Sequence, residues 1–278
     1  MKRNILIIVS AIICVAFMSC TFKFDDDFLR GGDIIKGNGN IVSQNYLVGA
    51  FNELSIALPA TVNFTVSENY TCTVRVDENI LEYLEIKVKN EDLVMKRLDM
   101  HKDINLKPTE FVIEVTAPSL EEISLAGSGT LNVLSPLKGE ELEVNVAGSG
   151  DIAFDQSINY RKIDLSVAGS GNLVCPELVA DELEATLAGS GDVKVTDGTV
   201  RKAEANVAGS GDIVLTCAIE NLEANIAGSG DIKARVNGKL EYTIFGSGDI
   251  SYYGSPALKG NNVGHSSITR LGDWPQQE

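Results

Sequence analysis

The sequence predicts an all-β fold, a single-stranded parallel β-helix (solenoid) with coils of about 18–21 residues. Three observations predict it. The tetrapeptide Ala126-Gly127-Ser128-Gly129 recurs at Ala147, Ala168, Ala188, Ala208 and Ala227, and again as Phe245-Gly246-Ser247-Gly248. The intervals are 21, 21, 20, 20, 19 and 18 residues, a period that marks a repeat architecture. Apolar and polar residues alternate on both sides of each turn, as in Leu142-Glu143-Val144-Asn145-Val146 before it and Ile152-Ala153-Phe154 after it. That is the two-residue period of half-buried strands.

The third observation is that columns hold from copy to copy. Two residues before the first glycine stand Leu125, Val146, Val167, Leu187, Val207, Ile226 and Ile244; four after it stand Leu131, Ile152, Leu173, Val193, Ile213, Ile232 and Ile250. Three before it the residue is always small and polar: Ser124, Asn145, Ser166, Thr186, Asn206, Asn225, Thr243. A twenty-residue unit cannot bury its own apolar face, but stacked units can, each strand pairing with its counterpart about 4.8 Å along the axis. The usual chirality of parallel crossovers predicts a right-handed coil. A propeller needs about forty or more residues per blade, and leucine-rich repeats carry a different signature.

Taken in order, residues 1–19 read as a lipoprotein signal peptide. Lys2 and Arg3 precede the apolar run Ile5–Met18, too short for a membrane span and suited to secretion. Phe17-Met18-Ser19-Cys20 is similar to a lipobox, making Cys20 the expected lipid attachment residue and the membrane lipid anchor the first partner. The alternative is an ordinary signal peptide. Residues 20–40 form an acidic, glycine-rich tether. Its Asp25-Asp26-Asp27 resembles a surface-export signal and points to a surface-exposed outer-membrane lipoprotein, with a periplasm-facing location as the alternative. Residues 41–125 are strand-rich but irregular, expected as modified first coils, with a separate β-sandwich as the alternative. Within them Leu54-Ser55-Ile56-Ala57-Leu58-Pro59-Ala60-Thr61-Val62 keeps the outline of a repeat. Residues 126–270 are the regular coils, ending in the worn copy Val263-Gly264-His265, and 271–278 are a tail.

The chain of 278 residues carries 39 acidic against 23 basic side chains, a formal charge of −16. Removing residues 1–19 takes Lys2 and Arg3 with it, leaving 39 against 21, or −18. Nucleic-acid binding needs a cationic stripe to displace counterions, and the sequence has none. Once Cys14 and Cys20 are assigned to the export segment, Cys72, Cys175 and Cys217 remain. Their odd number and unrelated spacing fit buried inert thiols, not a disulfide framework or zinc site.

Gly-Ser-Gly-Asp-Ile repeats behind an exported N-terminus, with Phe51-Asn52-Glu53-Leu54 opening the domain, resemble the putative auto-transporter adhesin, head GIN domain family over roughly residues 45–270. The resemblance implies a β-helical cell-envelope protein with an adhesin-like role. It implies no catalytic motif on numbered positions.

Three chemistries are compatible with these columns and faces. Calcium could be held by Asp151, Asp192, Asp212, Asp231 and Asp249 after the turn, or by Glu122, Glu143, Asp164, Glu184, Glu204, Glu223 and Glu241 five residues before the glycine. The preferred reading is turn capping for the first column, where Asn172 and Thr130 substitute, and solvent exposure for the second; no cofactor is expected. A β-helix polysaccharide lyase or hydrolase is the alternative function, but carboxylates in regular columns do not converge, and short coils leave little length for the walls of a cleft. His101 and His265 have no partner pattern. The preferred function is non-catalytic, adhesin-like binding of a glycan or protein through a flat face. Tyr242, Tyr252, Tyr253 and Trp274 make a modest aromatic group; the tyrosines fit closure of the C-terminal end. No particular ligand-binding residue and no oligomeric state follow from the sequence.

Overall fold

The computed structural model describes residues 33–98, 100 and 104–275. The signal peptide, Cys20, the tether up to residue 32, His101 and residues 276–278 lie outside the described residues.

After β1 (Ile34–Lys36) and β2 (Ile41–Tyr46), a first coil is made by β3 (Glu53–Ala57) and β4 (Thr61–Val66). β5 (Thr71–Asp77), a 3-10 segment (Glu78–Tyr83), β6 (Leu84–Lys89), β7 (Asp92–Arg97), β8 (Asn105–Lys107) and β9 (Phe111–Ala117) follow. The repeats then supply β10 (Glu122–Gly127), β11 (Thr130–Val133), β12 (Leu137–Gly148), β13 (Asp151–Phe154) and β14 (Ile158–Gly169). Four long strands, β15 (Leu173–Gly189), β16 (Val193–Gly209), β17 (Ile213–Gly228) and β18 (Ile232–Gly246), lead to β19 (Ile250–Tyr253), β20 (Ala257–Gly264) and β21 (Ile268–Gly272).

The result is a parallel β-solenoid of about eight turns. Stacking is parallel and in register: Gly148 pairs with Gly169, Gly169 with Gly189, Gly189 with Gly209, and so on to Gly264. Both predicted apolar columns are buried throughout. In a long strand such as β15 the inward residues are Leu173 and Cys175, then Leu178 and Ala180, then Leu183, Ala185 and Leu187. The step of two slips to three at two places, so each coil bends into three sides around one continuous apolar core.

The turn explains its own sequence. The first glycine of each Gly-Ser-Gly has positive φ, from 95° at Gly127 to 145° at Gly228, a region side chains avoid. At the second glycine the constraint is stacking: a Cβ on Gly191 would stand 1.8 Å from the Gly171 carbonyl oxygen one coil away.

The 41–125 stretch is more than worn repeats. β3 and β4 lie beneath β10 and β11 as one coil, with Glu53 opposite Glu122 and Val62 opposite Leu131. On their other side lie β7 and β9, also parallel. The chain therefore makes a coil, builds a layer on its outer side, and crosses back to continue the stack. Antiparallel pairs β2–β5, β5–β9 and β6–β7 complete that layer. The β6–β7 hairpin turns at Asn90 and Glu91, both at positive φ as a two-residue hairpin turn of this hand requires. Asp77 pins the layer: fully buried, it accepts the N–H groups of Gly39 (2.7 Å) and Thr109 (2.6 Å). Burial opposes its charge, but these bonds prevail and hold its carboxyl below the ordinary aspartate value.

At the C-terminal end the residue type changes along part of the last coil. Asn262 stands at the inward position opposite Ile244, and Arg270 opposite Tyr252, so polar groups terminate two of the apolar files, while two others end in Leu258 and Ile268.

Candidate binding surfaces

The post-turn column is a hydrogen-bond ladder. Its members do not cap their own turn as expected; they reach across to the next coil. Asn172 N–H donates to Asp151 Oδ1, Asp192 N–H to Asn172 Oδ1, Asp212 N–H to Asp192 Oδ1, and Asp249 N–H to Asp231 Oδ1, at 2.7–3.1 Å. An Asx side chain is required because its oxygen bridges the rise between coils; this accounts for the interchange of Asp and Asn. The serines beside them, Ser128 to Ser247, form an exposed row of hydroxyls.

On another side runs the acidic column, longer than the repeats suggest. Asp92, Glu53, Glu122, Glu143, Asp164, Glu184, Glu204, Glu223 and Glu241 follow one another rung by rung. Most are half-buried, not fully solvated as expected. The neighbouring small polar column explains why: Asn145, Thr186, Asn206 and Asn225 point outward yet are buried between rungs, and several donate to the acids. Asn145 Nδ2 reaches Glu143 Oε1 at 2.8 Å and Asn206 Nδ2 reaches Glu204 Oε1 at 3.0 Å. Burial first, then like-charged neighbours, pushes Glu53, Glu122 and Glu184 up in pKa; burial alone raises Asp92.

The third side holds a shallow groove of about 660 Å³ running across five coils. Its lining includes Asn159, Arg161, Asp181, Thr199, Arg201 and Asn237. Arg201 Nε lies 3.5 Å from Asp181 Oδ1, and Arg161 Nε lies 3.5 Å from Glu140 Oε2. Sequence reasoning missed this groove. Its signal was present eight residues before the glycine, where charge alternates as Glu140, Arg161, Asp181, Arg201 and Glu220.

The aromatic group divides. Tyr252 is 6% exposed and helps close the core, whereas Tyr253 faces outward and meets Trp274 edge to face at 4.8 Å. Lys233 and Arg235 stack over Tyr253 and Trp274 at 5.5 and 5.4 Å. Trp274, for which the sequence offered no role, clasps the tail to the last coils. His265 is exposed and takes the serine place of the turn, its N–H donating to Gly246 O. Cys72, Cys175 and Cys217 are buried and unpaired, and burial pushes each thiol up to about 12. Among the described residues no three His, Cys, Asp or Glu side chains converge as ready-made metal ligands.

The fold is thus that of a β-solenoid protein with flat, regularly repeated faces. The chain belongs to the putative auto-transporter adhesin, head GIN domain family, whose pattern matches residues 50–174 and 147–256. Among solved structures it is similar to a putative lipid binding protein from Parabacteroides distasonis, with 30% identity and TM-score 0.82, covering 86% of this chain and all of that one. A putative adhesin from the same species has 26% identity and TM-score 0.79, with the same coverage. A putative adhesin from Parabacteroides merdae has 27% identity and TM-score 0.80, covering 86% of this chain and 99% of that one. No curated protein matches the sequence.

Proposed function

We propose that this protein is a cell-envelope lipoprotein, anchored through Cys20, that binds an extended glycan or protein segment without chemically altering it. The observation that carries this reading is the groove on the third side. It is long and shallow, with a partly apolar floor that includes Val179, Val200 and Ala218, and it offers Asn159, Thr199 and Asn237 with Arg161 and Arg201 at intervals of two coils. Such a track suits a chain laid along the solenoid axis, recognised by repeated hydrogen bonds and charge pairs over several rungs. The adhesin names carried by the family and two of its solved relatives agree with a binding role. Another relative is named as lipid binding. Here Leu, Ile and Val files fill the inside of the coils, which supports ligand capture on the outer surface.

Glycan-array and peptide-array binding by the full-length chain tests the reading, with Arg161→Ala/Arg201→Ala as the probe. Saturable binding that weakens at least tenfold in the double variant is expected. Polysaccharide turnover by the wild-type chain would replace the binding reading with the enzymatic one. Protease shaving of intact cells, with Cys20→Ser as the unanchored control, tests surface display.

A further inference from the structure

Four side-chain oxygens are buried without a hydrogen-bond partner among the described residues: Asn52 Oδ1, Asp92 Oδ1, Asn145 Oδ1 and Asp164 Oδ1. All lie on or beside the acidic row. Each is an acceptor, so what this face lacks is donors or positive charge. The available donors are already committed to carboxylates: Ser55 Oγ to Asp92 Oδ2 at 2.9 Å, Ser124 Oγ to Glu122 Oε1 at 3.1 Å, and Asn52 Nδ2 to Glu121 Oε2 at 2.9 Å. Asn145 is 4% exposed, and its Nδ2 bond to Glu143 holds the amide against the row with the oxygen unused.

The row is unevenly neutralised. Lys162 meets Asp164 at 2.7 Å, and Lys239 and Lys259 meet Glu241 at 2.6 and 3.1 Å. At the N-terminal end, Asp92, Glu53, Glu122 and Glu143 occupy successive rungs with Glu91 and Glu121 alongside. Among the described residues no lysine or arginine forms an ion pair with any of these four.

We propose that this N-terminal stretch of the row binds a divalent cation, with Ca²⁺ the best fit, between Glu122 and Glu143 on adjacent rungs and with the Asn145 amide oxygen among its ligands. The spacing suits the ion. Oxygens on opposite sides of Ca²⁺ are about 4.6–5.2 Å apart, matching the about 4.8 Å between rungs. Ca²⁺ also accepts mixed carboxylate, amide and water oxygens in flexible geometry, whereas Mg²⁺ demands a near-ideal octahedron. The row has no imidazole or thiolate to favour a softer metal. Because no three carboxylates already converge, two rungs, the amide and waters complete the shell. That places the affinity in the weak extracellular class, about 10⁻⁴–10⁻³ M.

The test is thermal melting and calorimetric titration of the full-length chain with CaCl₂ after chelation. Five millimolar Ca²⁺ is expected to raise Tm by about 3–5 °C, and equal Mg²⁺ by much less. Glu122→Gln, and independently Glu143→Gln, should abolish the Ca²⁺ shift while melting higher than wild type in chelator, because each removes a repelling charge. Asp231→Asn, on the post-turn ladder, should keep the shift. No Ca²⁺ shift in the wild type, the same shift with Mg²⁺, or an undiminished shift in both glutamine variants would overturn the proposal.

Discussion

Asp212 Oδ1 accepts the backbone N–H of Asp231, one coil further along the solenoid, at 2.8 Å. The same bond is made by Asp192 to Asp212 on the preceding coil and by Asp231 to Asp249 on the following one. One side chain therefore serves as a clamp between turns, at the corner where the glycines weaken the backbone's own preference. Asp212→Ala leaves the Asp231 N–H without this partner and is expected to cost about 0.5–1.5 kcal/mol. Asp212→Asn keeps the acceptor and should cost much less. Denaturant melts of the two variants check this; equal losses would show that the oxygen is not what matters.

Gly191→Ala tests the close stacking of coils. The added Cβ would stand 1.8 Å from the Gly171 carbonyl oxygen, backbone that cannot retreat without opening the ladder. The expected loss exceeds about 3 kcal/mol, in the range of severe core substitutions. Ser190→Ala, one residue away on an exposed side chain, should be near neutral. A mild Gly191→Ala melt would mean the coils are spaced more loosely than described.

The acidic row gives stability an unusual pH dependence. An acid whose folded value is raised holds its proton in the folded chain at pH values where the unfolded chain has released it. Asp92, Glu53, Glu122 and Glu184 therefore destabilise the fold at neutral pH, and this cost disappears as pH falls through their raised values toward the ordinary 3.8–4.5. Asp77, Glu85 and Glu241 act oppositely. Their lowered values give stability that is present above the ordinary range and lost as pH falls below it. In low salt with chelator, Tm should rise from pH 7.5 to about 5 and drop below about 4. A Tm that climbs steadily with pH across this range would contradict the assignment.

The three thiols should be silent in the native state. Cys72, Cys175 and Cys217 are within 1% of complete burial, and each is pushed up to about 12 by the loss of water around the thiolate. A thiol reagent at pH 8 should label them only at the rate of unfolding, and all three together in denaturant. Fast labelling of any one in native buffer would place it on a mobile or accessible segment.

The sequence alone determined the repeating unit, its inward columns and the parallel, in-register stacking. Those features recur at a fixed period, and only stacking lets twenty-residue units bury Leu187, Val207 and their equivalents. It also exposed the aspartate and glutamate columns, because each keeps a constant offset from Gly-Ser-Gly. The tertiary structure decided what depends on neighbours distant in the chain. Asp92 joins the acid row only because β7 pairs with β3, with no repeat motif linking it to Glu122. The groove arises from a third side that bends within β15 to β17, and Asp212 bonds to the next coil instead of its own turn. A periodic sequence specifies which residues align along the axis; which of those alignments becomes a cavity, a clamp or an uncompensated charge is set by packing across the coil.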